Sequence, residues 1–350
     1  MARFKSGLVV GKFSPLHRGH EALIRQAQES CAEVIIVSYS KPELTGCEAD
    51  RRARWLADLF PTTRRLVVTD QYLREHARGD DEFSSVPDND APDVVHRDFC
   101  AFLCETHLAT TVDAVFTSED YGAGFADHLT RRFRAKRPHV AIVEHVSVDR
   151  HRVKTPVFGR LIRQDVHTYR SCLSPRVYAS FVERICLLGG ESSGKSTLTE
   201  ALADRFDTTF APEYGRELWV AKEGRLSYED MLHIAVQQIE YENSAAQRSN
   251  RYLFCDTSPL TTYFYSLEMF GRADAALETL ALKPYDLYVL CAPDFEFVQD
   301  GTRRDAEFRR RQHAWYLEQL DRGGRRYLLA EGSLRERVDR IAAYLTPGFS

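Results

Sequence analysis

No apolar run in the chain approaches the roughly 20 residues of a spanning helix, which excludes a helical membrane protein. The opening residues MARFKSG carry neither a long apolar core nor a small-residue cleavage pattern, so no signal peptide is expected. Basic charge is not in excess. Lys and Arg number 47 against 51 Asp and Glu, for a formal net charge of −4, which argues against a general nucleic-acid binder. None of the eight cysteines forms a C-x-x-C pair, and Cys100 and Cys104 stand one helical turn apart, so neither a zinc knuckle nor a redox motif is expected. Scattered cysteines inside apolar runs, as at Cys186, Cys255 and Cys291, behave as small hydrophobes and point to a reduced, cytoplasmic compartment. Internal repeats and low-complexity tracts are missing too, which leaves an ordinary globular chain. At 350 residues it is too long for a single core.

What is present is alternation. LVVG (8–11), EVIIVSYS (33–40), RLVVTD (65–70), DAVFTS (113–118) and VAIVEHV (140–146) read as strands, with amphipathic stretches such as 20–30 and 96–108 between them. Thr45 and Glu48 have the spacing of a capping box opening a helix that carries Arg51, Arg54 and Trp55. The acidic, Pro-bearing stretch 78–93 reads as a long loop, either a substrate loop or a plain insertion. A second alternation runs through 184–190, 252–258, 285–293 and 325–331. The expected fold is therefore α/β, two doubly wound parallel-sheet domains. We place them at 1–172 and 184–350, joined by a connector helix at 173–183 that Ser174 and Pro175 would open.

Two glycine-rich turns carry the chemistry. Gly189-Gly190-Glu191-Ser192-Ser193-Gly194-Lys195-Ser196, followed by Thr197, fits G-x-x-x-x-G-K-[ST] between a strand and a helix. In that context the backbone amides cradle a polyphosphate, Lys195 reaches the β- and γ-phosphates of ATP, and the Ser196 hydroxyl binds Mg²⁺. Asp256 ends the run YLFCD, where a carboxylate can hold Mg²⁺ or accept a hydroxyl proton, or simply cap the following helix. Arg303, in DGTRRDAEFRRR, suits a lid over the transferring phosphoryl, whereas the later arginines read equally well as a solvated face. Glu213 and Arg216, in PEYGRE, are candidates for holding a sugar hydroxyl.

The first turn, GKFSPLHRGH, follows the first strand and puts His17 and His20 at a helix start, with Gly19 between them. Imidazoles and backbone amides there can bind phosphate oxygens, and no acidic base is needed if the nucleophile is an ionised phosphate. Gly11, Lys12, Phe13, His17, His20 and, further on, Arg163 form the candidate nucleotide site of this half.

GKFSPLHRGH and LLGGESSGKST, in that order, together with VSYS, TSEDYG, PEYGRE, DTSPLTT and FVQDG, resemble the NadR family, in which a nicotinamide mononucleotide adenylyltransferase is joined to a ribosylnicotinamide kinase. The resemblance implies nicotinamide riboside, nicotinamide mononucleotide and ATP as substrates, and pyridine nucleotide salvage as the role. Some relatives carry an N-terminal helix-turn-helix; about six residues precede the first strand here, so DNA binding is not expected. One stretch departs from the family. Where a pattern resembling S-[GA]-T-x-I-R is expected, the chain reads PVFGRLIR, with Phe158 for the serine and Arg160 for the threonine. A ring and a long cation replacing two small hydroxyls should impair a tight phosphate contact. We expect an intact kinase beside weakened or absent adenylyl transfer.

Two alternatives follow. In one, the first half is a non-catalytic sensor of NAD or the mononucleotide that regulates the kinase. In the other, the chain is a generic P-loop ATPase, which explains the first motif poorly. Trp55 and Trp219 are candidates for stacking the nicotinamide ring. A homo-oligomer is compatible with the sequence, which does not specify an oligomeric state.

Overall fold

The computed structural model describes residues 2–149, 159–295 and 305–346. By contact the chain divides into two compact units, Met1–Ser180 and Phe181–Ser350.

The first unit holds five strands, β1 (Phe4–Gly11), β2 (Cys31–Tyr39), β3 (Arg64–Val68), β4 (Ala114–Thr117) and β5 (Glu144–Ser147). Their spatial order is β3-β2-β1-β4-β5, every neighbouring pair parallel. Strands covered on both faces need apolar side chains in both directions, which is why β1 and β2 read as runs rather than alternations. One face packs Leu8, Ile35, Val37 and Val115 on Phe99, Phe102, Leu129 and Phe133. β5 lies later than its apolar run suggests: 140–143 is not strand, although Val143 is buried. The helix Ala49–Leu59 starts without the expected capping box. Its N-cap is Glu48, which accepts from Gly46 N at 2.7 Å, while Ala49 N donates to Glu43 Oε2 at 3.3 Å. The short helix Pro175–Tyr178 has Ser174 as its N-cap and belongs to the first unit.

The second unit repeats the architecture with β6 (Glu183–Gly189), β7 (Phe210–Ala211), β8 (Tyr252–Asp256), β9 (Leu287–Cys291) and β10 (Tyr327–Ala330), ordered β10-β9-β6-β8-β7 and all parallel. Alternate residues of β6 serve opposite faces. Ile185 and Leu187 pack with Leu198, Leu202 and Ile341, and Cys186 and Leu188 with Leu260, Tyr316 and Leu320. β7 escaped the sequence reading because a two-residue strand leaves no period to detect. All eight cysteines are free thiols, seven of them buried. Among the described residues no helix is long and apolar enough to cross a membrane.

In each sheet the first strand has two strands placed on one side and then the remaining two on the other. The crevice beyond its carboxyl end is where ligands bind in open α/β sheets. GKFSPLHRGH follows β1 and the phosphate-loop sequence follows β6.

Candidate functional site

The phosphate loop bends where its sequence allows it. Gly189 has φ +150° and Gly194, the N-cap of the helix Lys195–Arg205, has φ +79°, both outside the range that side chains favour. A Cβ on Gly190 would lie 2.6 Å from the Arg309 carbonyl oxygen, so that position also admits only glycine without displacement. The buried Ser193 hydroxyl donates to Gly190 O at 2.7 Å and thus closes the loop on itself. Lys195 Nζ arches over the turn, donating to Gly189 O at 3.0 Å and Gly190 O at 3.1 Å. Ser196 and Thr197 follow on the first helical turn, Ser196 half-buried and Thr197 exposed.

Beside the loop lies a cavity of about 370 Å³, lined among others by Glu191, Lys195, Glu213, Arg216, Trp219 and Tyr265. Three of the sequence candidates, Lys195, Glu213 and Arg216, therefore meet in one place. Arg216 Nε donates to Glu213 Oε2 at 3.4 Å. Burial first, and the Asp256 carboxylate second, raise the Glu213 carboxyl above the ordinary glutamate range, against the pull of Lys195 and Arg216. Asp256 ends β8 with 4% exposure, and its Oδ1 has no hydrogen-bond partner. A buried carboxylate oxygen without a partner is available to a ligand. The helix-capping role is excluded, since the N-cap of the next helix, Pro259–Phe270, is Ser258.

Several contributors carried no sequence signal. Tyr265 OH donates to Glu191 Oε1 at 2.9 Å, and Gln312 Oε1 accepts from Glu191 N at 3.0 Å. Burial, then the Glu191 carboxylate, hold the Tyr265 phenol well above its ordinary value, so it remains a donor. Of the later arginines, Arg310 is solvated, but Arg309 is 7% exposed and turned to the loop. Arg303 lies outside the described residues.

In the first unit His17 is the N-cap of the helix Arg18–Ser30, and the two histidines cap each other. His17 Nδ1 accepts from His20 N at 3.3 Å and His20 Nδ1 accepts from His17 N at 3.4 Å. Accepting at Nδ1 places the proton of a neutral ring at Nε2. The rings stack with centroids 3.6 Å apart, and Phe13, buried at φ +46°, meets His20 edge-on at 5.0 Å. Gly11 leaves room for that ring: its Cβ would come within 2.8 Å of Phe13. Gly159 opens the helix Gly159–Gln164, and a Cβ there would come 3.2 Å from Arg163 Nη1 and 3.5 Å from His17 Nε2. Arg163 Nη1 donates to Ser14 O at 3.0 Å.

Lys12, His17, His20, Arg160 and Arg163 all line a cavity of about 510 Å³ at this end of the sheet. Partial desolvation, then the Arg163 guanidinium, lower the Lys12 ammonium below its ordinary value, Asp90 opposing. Phe158 lies outside the described residues.

The 78–93 segment is anchored here. Val86 is buried and its N–H donates to Asp70 Oδ1 at 2.8 Å. Asn89 bonds Lys41 N at 3.1 Å and Pro42 O at 3.0 Å through its amide, and its carbonyl accepts from Lys12 Nζ at 3.3 Å. The two tryptophans part company. Trp55, 2% exposed, donates to Ser180 Oγ at 2.8 Å as part of the core, which removes it as a ring-stacking candidate, whereas Trp219 faces the second cavity.

A protein-family model described as an AAA domain matches residues 184–337. The trifunctional NAD biosynthesis/regulator protein NadR of Salmonella typhimurium strain LT2 is 31% identical over 307 residues, which cover 85% of this chain and 71% of the relative. Its counterpart in Escherichia coli strain K12 is 30% identical over the same shares. Among solved structures, a NadR protein in complex with NAD and AMP-PNP superposes with a TM-score of 0.69 at 19% identity, covering 100% of this chain and 98% of that one. A NadR protein in complex with NR gives 0.67 at 18% identity, covering 100% and 97%. These two share the fold.

Proposed function

The chain belongs to the NadR family, and from that premise we propose that it is an enzyme of NAD biosynthesis whose second unit phosphorylates nicotinamide riboside with ATP to give nicotinamide mononucleotide. The observation that carries this reading is the cavity shared by Lys195, Glu213, Arg216 and Trp219 against the phosphate loop, with the unpartnered Asp256 oxygen at the end of β8. The riboside is a cation at its pyridinium ring. A tryptophan face and the carboxylates Glu191 and Glu213 suit such a ligand.

In the proposed reaction the riboside 5′-hydroxyl attacks the γ-phosphorus in line. A bond forms between the 5′-oxygen and phosphorus, the bond to the β–γ bridging oxygen breaks, and ADP leaves. Asp256 takes the hydroxyl proton, and Lys195 with the loop amides binds the phosphate oxygens. Arg303 is the candidate for closing over the transferring group. Among the described residues no cluster of three or more His, Cys, Asp or Glu could hold a metal. One carboxylate and one hydroxyl, Asp256 and Ser196, nevertheless fit Mg²⁺, which commonly takes few protein ligands and completes its shell with phosphate and water. When bound, Mg²⁺ would neutralise charge on the β- and γ-phosphates.

For the first unit we propose nucleotide binding by Gly11, Lys12, Phe13, His17, His20 and Arg163, with adenylyl transfer weakened by Phe158 and Arg160. Arg160 projects a long cation into the cavity where a small hydroxyl is expected. The same observation favours the second reading, in which this unit senses NAD or the mononucleotide. A product assay separates them. With ATP and Mg²⁺, the riboside should yield mononucleotide, and the mononucleotide should yield little or no NAD. A chain that turns over ATP equally with and without riboside would overturn the kinase reading.

A further inference from the structure

For the amides of a phosphate loop to point inward, its carbonyls must point outward into protein, where each needs a donor. Gly189 O and Gly190 O are served from within the loop by Lys195 and Ser193, and Gly194 O by Leu198 N at 3.0 Å. The crown of the loop is served from elsewhere. Ser193 O accepts from Arg337 Nη1 at 2.8 Å, and Ser192 O from Arg309 Nη1 at 3.4 Å.

Arg337 lies on the last helix, Leu334–Leu345, and is completely buried. Its guanidinium uses the rest of its fork on Ala292 O at 3.2 Å, Gly332 O at 3.0 Å and the Asp294 carboxylate. It also lies 4.2 Å above the Phe295 ring, the same ring that a Cβ on Gly194 would meet at 3.1 Å. One side chain thus ties the loop to the segment after β9 and the turn after β10. A burial this complete needs the carboxylate and all the acceptors that surround it. It also keeps a permanent positive charge directly behind the loop, in low dielectric.

We propose that Arg337 is a positioning residue for the phosphate loop, holding the Ser193 carbonyl outward so that the loop amides face the polyphosphate, with Asp294 fixing the guanidinium in turn. This rests on the kinase reading for its second substrate but not for ATP itself.

The test measures equilibrium binding of MgATP and of nicotinamide riboside to the full chain carrying R337M, R337K or D294N. R337M should weaken ATP by about tenfold or more while riboside affinity stays within about twofold. R337K should recover part of the loss, because a lysine can reach Ser193 O but cannot span the other acceptors, and D294N should weaken ATP less than R337M does. Should R337M not fold, R337K and D294N decide. ATP affinity at the wild-type level in both would overturn the proposal, whatever happens to thermal stability. Parallel loss of ATP and riboside affinity would reduce Arg337 to a fold residue. A wild-type chain that binds ATP but phosphorylates no riboside would overturn the substrate assignment alone and leave the ATP arm standing.

Discussion

Replacing Asp256 with asparagine should move stability and activity in opposite directions. The carboxylate is 4% exposed with Oδ1 unpartnered, and it sits close enough to Glu213 to raise that carboxyl. The asparagine keeps a polar atom at that buried position, so any gain comes from relief of the repulsion between Asp256 and Glu213. For a unit of this size the melting temperature of D256N should rise by roughly 2–4 °C for each kcal/mol of repulsion relieved. Loss of the proposed proton acceptor should meanwhile lower kcat by about 10² to 10⁴. Two units can melt separately, so the transition to follow is the one that shifts with nicotinamide riboside. Scanning calorimetry and a coupled ADP-release assay with riboside supply the two numbers. A variant that melts lower and keeps its turnover would refute the reasoning, because the carboxylate would then be holding the fold rather than awaiting a substrate.

Glu213 has a raised carboxyl, so its contribution to stability is full at low pH and is lost as pH rises through its folded-state value. Urea midpoints between about pH 4 and pH 8 should therefore decline less in E213Q than in the wild type, and equal slopes would contradict the assignment. Gly190→Ala places a Cβ 2.6 Å from a backbone oxygen, so ATP affinity should fall by about tenfold or more, and a titration showing no change would mean the loop has slack. The double change F158S and R160T should increase NAD formed from mononucleotide and ATP, as chromatography would show; no increase would clear those two positions of blame.

The residues that the sequence exposed best are those whose chemistry is contiguous. Gly189 to Ser196 and His17 to His20 each complete a strand-turn-helix within one stretch, so their spacing alone predicts the geometry. Asp256 was singled out because it ends an apolar strand run, and Glu213 and Arg216 because PEYGRE reads as a turn before a helix. What supports those residues was hidden by distance along the chain. Arg337 reaches Ser193 from the last helix, and Asn89 reaches Lys41 and Lys12 from an aperiodic stretch. Arg337 shares its residue type with many other arginines of the chain, and Asn89 sits in a stretch with no period to single it out. Arg309, one of three consecutive arginines, shows the limit plainly, since only packing separates it from Arg310. Trp55 and Trp219 were indistinguishable for the same reason.

Each cavity is lined by two carboxylates, and the first has one Lys or Arg more than the second. In the first, Lys12, Arg160 and Arg163 stand with the two histidines and the carboxylates Glu119 and Asp149. A site for joining one phosphate to another must offset negative charge on both reactants, and an ionised phosphate attacks without a base. In the second, the cationic loop and Lys195 face one way, while Glu191, Glu213 and the neighbouring Asp256 supply the acid groups. A hydroxyl nucleophile needs somewhere for its proton to go, whereas an ionised phosphate has no proton to lose. A carboxylate close enough to take that proton, Asp256, is thus a reason besides the phosphate-loop sequence for proposing the hydroxyl-phosphorylating step in the second unit.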